Sequence, residues 1–288
     1  MPLHNNIKLI AKQFIMLAIC CSFMYKAYPQ ADTLSQTLGR LFGRLATVNE
    51  DSVKLQVNDS IQTIVNRIVE SDSIFSFSFK DIRFLGQITS PDSTVKIVSW
   101  NLNLKASPGK YFCYIIKRSE TNSLNSVYRL TSDYNPADIS EDTVYTGENW
   151  YGALYYDIRP FTTDGQTYWT ALGINYGNPL ITKKVIDIIT FKHDGAIEFG
   201  APVFSPSDSI LVKRKVFRYS ADAAMTLRFT DNNSIVFDHL VPFSPALAGK
   251  MEYYGPDFSY DAYILEKGKW TFKPDIDARN EEKPVSGR

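Results

Sequence analysis

Cysteine is nearly missing from this chain. Its 288 residues hold three, and two of them, Cys20 and Cys21, lie in an apolar run near the N-terminus. If that run is removed, Cys113 remains alone, so no internal disulfide can form and stability must come from the core. Histidine is equally scarce, with His4, His193 and His239. No H-E-x-x-H, C-x-x-C or histidine cluster occurs, so no metal site and no cofactor is expected. No glycine-rich phosphate loop and no G-x-S-x-G elbow is present. Charge of one sign is lacking too: 31 basic residues balance 31 acidic ones, which gives no electrostatic reason to expect nucleic acid as a partner.

Aromatic residues are abundant, at 14% of the chain. The N-terminal segment reads as a targeting element. Lys8 and Lys12 precede the 11-residue apolar run Phe14–Met24, and small residues Ala27 and Ala31 follow. A charged start, a short apolar centre and small residues describe a secretory signal peptide over 1–31. The run is shorter than the roughly 20 residues a membrane span needs. Leu17-Ala-Ile-Cys20 approximates a lipobox, so membrane attachment would come only through a lipid on Cys20. The expected address is periplasmic or secreted.

Residues 32–74 read as a helical N-terminal element. Leu34, Leu38, Leu41, Leu45 and Val48 recur at helical spacing behind Asp32 or Thr33 as a cap. Ile61, Ile64, Val65, Ile68 and Val69 form a second stripe, with Asn58-Asp-Ser60 as its cap candidates. Residues 75–275 read as an antiparallel β domain, and 276–288 as a polar tail. Turn residues mark six hairpins: Pro91–Ser93, Ser119–Asn125, Asp164-Gly165, Asp194-Gly195, Asp231–Asn233 and Lys267-Gly268. The fold class is therefore mainly β: a large antiparallel meander closing into a sandwich or barrel-like form, with a small propeller as the alternative and an N-terminal helical hairpin.

Chemistry is harder to find. Asp238 and His239 end a predicted strand, but adjacent strand residues point to opposite faces. Asp257 and Asp261 are the most conspicuous carboxylates. On one straight strand they would stand roughly 13 Å apart, and Gly255-Pro256 suggests that Asp257 lies in a turn. Catalysis by carboxylates, if present, would use Asp238, His239, Asp257 and Asp261. Trp150, Tyr156, Tyr254 and Tyr260 are the candidates for stacking a ligand. Cys113, within Tyr111–Ile116, reads as a buried strand residue. Lys213-Arg-Lys215 and Arg218 read as a solvated, charged strand edge that discourages edge-to-edge pairing.

Several segments, SPDSTVKIVSWNL, WYGALYYDI, KKVIDIITF, AMTLRF, IVFDHL and YGPDFSYDAY, together resemble a family of uncharacterised secreted proteins of Gram-negative bacteria. The resemblance covers about residues 80 to 280. It implies an address outside the cytoplasm and carries no activity or catalytic residues. The family pattern has Gly where this chain has Ser93, a change confined to a turn. The leading functional expectation is a non-catalytic module binding a protein or glycan partner. The runner-up is a carboxylate-dependent, glycosidase-like hydrolase of the cell envelope, and a purely structural envelope component is third.

Overall fold

A computed structural model describes residues 33–79, 82–121, 124–205 and 212–277. The signal segment, Cys20 and the tail beyond residue 277 lie outside the described residues. Two compact units divide between Phe84 and Leu85. Among the described residues no helix is long and apolar enough to cross a membrane.

The first unit holds two helices packed together, α1 over residues 33–47 and α2 over Asp51–Val69. Leu38 and Phe42 are the buried side chains of α1. In α2, Val57, Ile61, Val65, Ile68 and Val69 form the buried stripe. The helix starts earlier than the Asn58–Ser60 caps suggested. Val57 already belongs to the stripe, and Asn58 is itself buried inside the helix. Ser60 and Thr63 donate to carbonyls four residues back, Gln56 O at 3.1 Å and Asp59 O at 2.9 Å. Such back-bonding lets hydroxyl residues sit within a helix rather than begin one.

The second unit is β apart from two short 3-10 turns, Pro245–Leu247 and Met251–Tyr253. Among the described residues it forms three mostly antiparallel sheets. The first runs β1 (Gly86–Thr89), β2 (Val95–Leu102), β3 (Lys110–Lys117) and β4 (Ser126–Asp133) as a simple meander. The second has the order β5 (Tyr145–Thr146), β9 (Ile197–Phe199), β8 (Ile181–Phe191), β7 (Gln166–Asn175), β6 (Leu154–Thr163). β11 (Lys215–Ser220) also pairs with β8, taking residues 181–186 of the edge whose far end pairs with β9. The third has the order β10 (Phe204–Ser205), β15 (Lys269–Lys273), β14 (Tyr254–Glu266), β13 (Ser234–Pro242), β12 (Leu227–Phe229). Its β10–β15 pair is parallel.

The six turns fall where the turn residues put them. Asp164 and Gly165 take φ of 51° and 74°, and Lys267 and Gly268 take 50° and 76°. Two successive left-handed residues match the twist of the flanking strands. Ser93 also has positive φ, at 56°, in the turn where a glycine would be unstrained.

Two cores explain the layering. One lies between the first sheet and one face of the second: Ile97, Tyr111, Cys113, Ile115, Trp169, Ala171, Ile189 and Phe199 are among its members. The other lies between the opposite face of the second sheet and the third: Leu172, Ile186, Ile188, Phe237, Tyr263 and Trp270 belong to it. The second sheet is thus the filling of a three-layer sandwich. Its strands are apolar on both faces, which is why Val185–Phe191 reads as an almost unbroken hydrophobic run. Trp270 Nε1 donates to Thr170 Oγ1 at 3.1 Å and pins the third sheet to the second. The layered form is open-edged and sandwich-like.

Candidate functional site

A cleft of about 340 Å³ opens at one end of the β unit. It is walled by Tyr134, Tyr145, Trp150 and Tyr151, with Asn135 and Asn149 among its polar groups. Its position follows from the topology. β4 ends at Asp133, β7 ends at Asn175, and residues 134–144 loop across before β5 begins at Tyr145.

A buried ion pair fixes that loop. Asp187 on β8 and Arg214, just before β11, are both fully buried. Arg214 Nε donates to Asp187 Oδ1 at 3.2 Å. Its Nη1 donates to the carbonyls of Ser140 and Thr143, each at 2.6 Å, and its Nη2 to Phe199 O at 2.7 Å. The rings of Tyr145 and Tyr151 lie 4.7 and 5.5 Å from the guanidinium carbon, within cation–π range. Asp187 Oδ2 accepts from the Tyr151 hydroxyl at 2.6 Å, and Oδ1 also accepts from Ile188 N–H at 2.9 Å. Burial is the largest single influence on Arg214 and opposes its charge, but the Asp187 carboxylate together with Tyr151, Tyr155 and Tyr145 outweighs it and raises the guanidinium pKa. Burial, with Asp187 next, pushes the Tyr151 hydroxyl well above the ordinary tyrosine range. Tyr151 therefore stays a neutral donor and a fixed wall of the cleft. Arg214 overturns the expected solvated edge at Lys213–Lys215: β11 pairs on β8, and the middle residue of the basic run turns inward.

Further ion pairs also hold the loop. Glu141 pairs with Lys215 at 2.5 Å and accepts from Val216 N–H at 2.8 Å. Asp138 pairs with Arg218 at 2.7 Å. Asn175, nearly fully buried, donates to Gly152 O at 2.7 Å and accepts from Gly177 N–H at 3.0 Å. Asn135 and Asn149 each use their side-chain oxygen on a nearby N–H, Ala137 at 2.9 Å and Thr146 at 2.6 Å. Among the described residues their Nδ2 groups donate to nothing. The cleft thus offers ring surfaces and amide donors. A wider depression of about 780 Å³ on the helical unit, bordered by Gly39, Gly43, Arg83 and Phe84, gathers none of the sequence candidates.

The aromatic candidates scatter. Trp150 is in the cleft wall, with its Nε1 donating to Tyr155 Oη at 3.1 Å. Tyr156 is the extra residue of a β-bulge in β6, between pairs Tyr155↔Gly173 and Asp157↔Leu172. Its hydroxyl donates to Leu227 O at 2.9 Å, and Lys184 Nζ sits 5.3 Å from its ring. It joins the second sheet to the third. Tyr254 opens β14, and its hydroxyl accepts from Gly249 N–H at 3.0 Å. Tyr260 pairs with Asp238, and its carbonyl accepts from Ile276 N–H.

The acid candidates partly converge, away from the cleft. Asp238 is nearly buried and accepts from Thr226 N–H at 2.6 Å. His239 turns the other way, and its Nδ1 meets Asp261 Oδ2 at 2.8 Å. The imidazole is half-exposed, while the Asp261 carboxyl is almost wholly buried. Asp257 does not lie in a turn before the strand. β14 begins at Tyr254, and the register with β13 jumps from Leu240↔Pro256 to Asp238↔Tyr260, so Asp257, Phe258 and Ser259 together face His239. Asp257 accepts from the amide and hydroxyl of Ser259 at 3.0 and 2.7 Å, and those bonds hold its pKa below the usual value. Phe258 has φ of 72° and is 93% exposed. Cys113 is buried without a partner thiol, and burial raises its pKa.

Among the described residues no group of three or more His, Cys, Asp or Glu could hold a metal ion. Arg214 was not among the site residues singled out from the sequence. A charge inside the apolar run Val185–Phe191 was the available signal, since a buried carboxylate needs a cation. No family model, curated protein or solved structure matches the chain.

Proposed function

We propose that the protein is a secreted or periplasmic, non-catalytic binding module that holds a glycan segment in the cleft beneath residues 134–151. The observation that carries this reading is the cleft's chemistry. Tyrosine rings supply faces for sugar C–H surfaces, and the Asn135 and Asn149 amides supply donors for hydroxyls. A volume of about 340 Å³ is at the small end for ligand pockets and fits one or two sugar rings. The four catalytic candidates, Asp238, His239, Asp257 and Asp261, stand outside the cleft lining, and the two carboxylates within it, Asp133 and Asp138, are ion-paired with Lys110 and Arg218, which favours binding over carboxylate-dependent hydrolysis there.

The test is tryptophan fluorescence of the purified protein titrated with N-acetylglucosamine oligomers and with neutral and acidic hexose oligomers. Trp150 reports from the wall. We expect a saturable change with at least one sugar class that is lost in Asn135→Ala and Asn149→Ala variants of unaltered melting temperature. Absence of any response up to about 1 mM would turn the search to protein partners.

A further inference from the structure

We propose that His239 and Asp261 form a pH-dependent latch that fastens the bulge Asp257–Ser259 and the segment 274–277 to the third sheet. The proposal is independent of the cleft. Asp261 divides its two oxygens between the elements concerned. Oδ2 takes His239 Nδ1 from β13 at 2.8 Å, and Oδ1 takes the Asp275 N–H at 3.1 Å. One residue further, Ile276 N–H donates to Tyr260 O at 2.9 Å. The segment after β15 is therefore tied back onto β14 through the same carboxylate that holds the imidazole. Asp275 accepts positive φ, 51°, to make this contact. Such a backbone persists only while its partners hold it.

The groups facing His239 are all acidic: Asp261 and Asp257 from β14 and Asp275 from the returning segment. Asp238, its neighbour on β13, faces the opposite side, toward Thr226. The hydrogen bond to Asp261 raises the His239 pKa above its ordinary 6.5, burial opposes this, and the three carboxylates add to the rise. A raised histidine stabilises the folded form fully below its unfolded pKa of about 6.5. That contribution disappears as pH climbs through the higher folded value. The latch is thus closed in mild acid and loosens on the alkaline side. With a half-exposed imidazole, the pair shifts local opening by about two- to fivefold.

The test is amide hydrogen exchange of Asp275 and Ile276, read by NMR from about pH 6 to about pH 9 and corrected for intrinsic base catalysis. Protection at both amides is expected to fall about two- to fivefold across the His239 titration, followed on its own ring protons with a midpoint above 6.5. His239→Gln should remove the pH dependence while leaving the rest of the sheet protected. If Asp261→Asn folds, it should bring the His239 midpoint down. Flat protection in the wild type, or the same pH dependence in His239→Gln, overturns the latch.

Discussion

Replacing Arg214 with methionine removes a guanidinium that makes four hydrogen bonds, to Asp187, Ser140, Thr143 and Phe199. Methionine fills much of the volume, so the cost is chiefly polar. Three carbonyls lose a donor, and a fully buried carboxylate keeps only Tyr151 and the Ile188 amide. An unsatisfied buried group costs about 1–3 kcal/mol. The carbonyls of residues 140 and 143 lie in a loop that can turn to water, so those losses are partly recovered. Breaking a buried pair from one side costs about 3–5 kcal/mol, and we expect about 4 kcal/mol here. For a β unit of this size that is a fall of about 8–16 °C in melting temperature. The assay is urea and thermal unfolding followed by tryptophan fluorescence. The double variant Asp187→Leu, Arg214→Met removes both charges and should recover part of the loss. A loss below about 1 kcal/mol for Arg214→Met would refute the reasoning, since the pair would then behave as a solvated surface contact.

Turn glycines should differ in a defined order. A side chain on Gly165 meets nothing, so Gly165→Ala costs only the left-handed backbone, about 1 kcal/mol. At Gly268 a Cβ would lie 2.1 Å from Thr163 Oγ1, so Gly268→Ala should cost at least twice as much by the same unfolding assay. Phe258→Gly should stabilise the protein by up to about 1 kcal/mol, because it relieves positive φ and gives up no buried contact; a destabilised variant would show that the ring packs somewhere. Cys113 should resist thiol reagents in the native state and react on unfolding, since it is buried and its pKa is raised; prompt native labelling would show the first core to be open.

How far the sequence could be read depended on whether a signal was local. Asp164-Gly165 and Lys267-Gly268 announced their hairpins because a two-residue left-handed turn has few solutions. Ile61 to Val69 announced a helix face, though not its start, since the Ser60 hydroxyl reads as a cap and bonds backward instead. The three-layer stack was not legible. β7 and β8 are buried on both faces, and a strand with two apolar faces loses the alternation that names its partner. The convergence of His239 with Asp261 was hidden for a different reason. It depends on the cross-strand register that sets Phe237 opposite Asp261, and spacing along one strand does not foretell its register on another. Arg214 was hidden by its neighbours. Lys213 and Lys215 do remain partly solvated, and only tertiary structure separates the residue between them.

The parallel pairing of β10 with β15 sets an order on the birth of the fold. Phe204 has its partner at Trp270, near the end of the chain, and every other strand of the third sheet lies between them in sequence. The first sheet, a run of neighbours, can assemble as soon as it is made. The third cannot be closed until the last strand leaves the ribosome. A nascent chain of this kind keeps one face of its central layer incompletely covered until β12 to β15 have been made. A stop before Lys269 would leave Phe204 and the core beneath it without their cover.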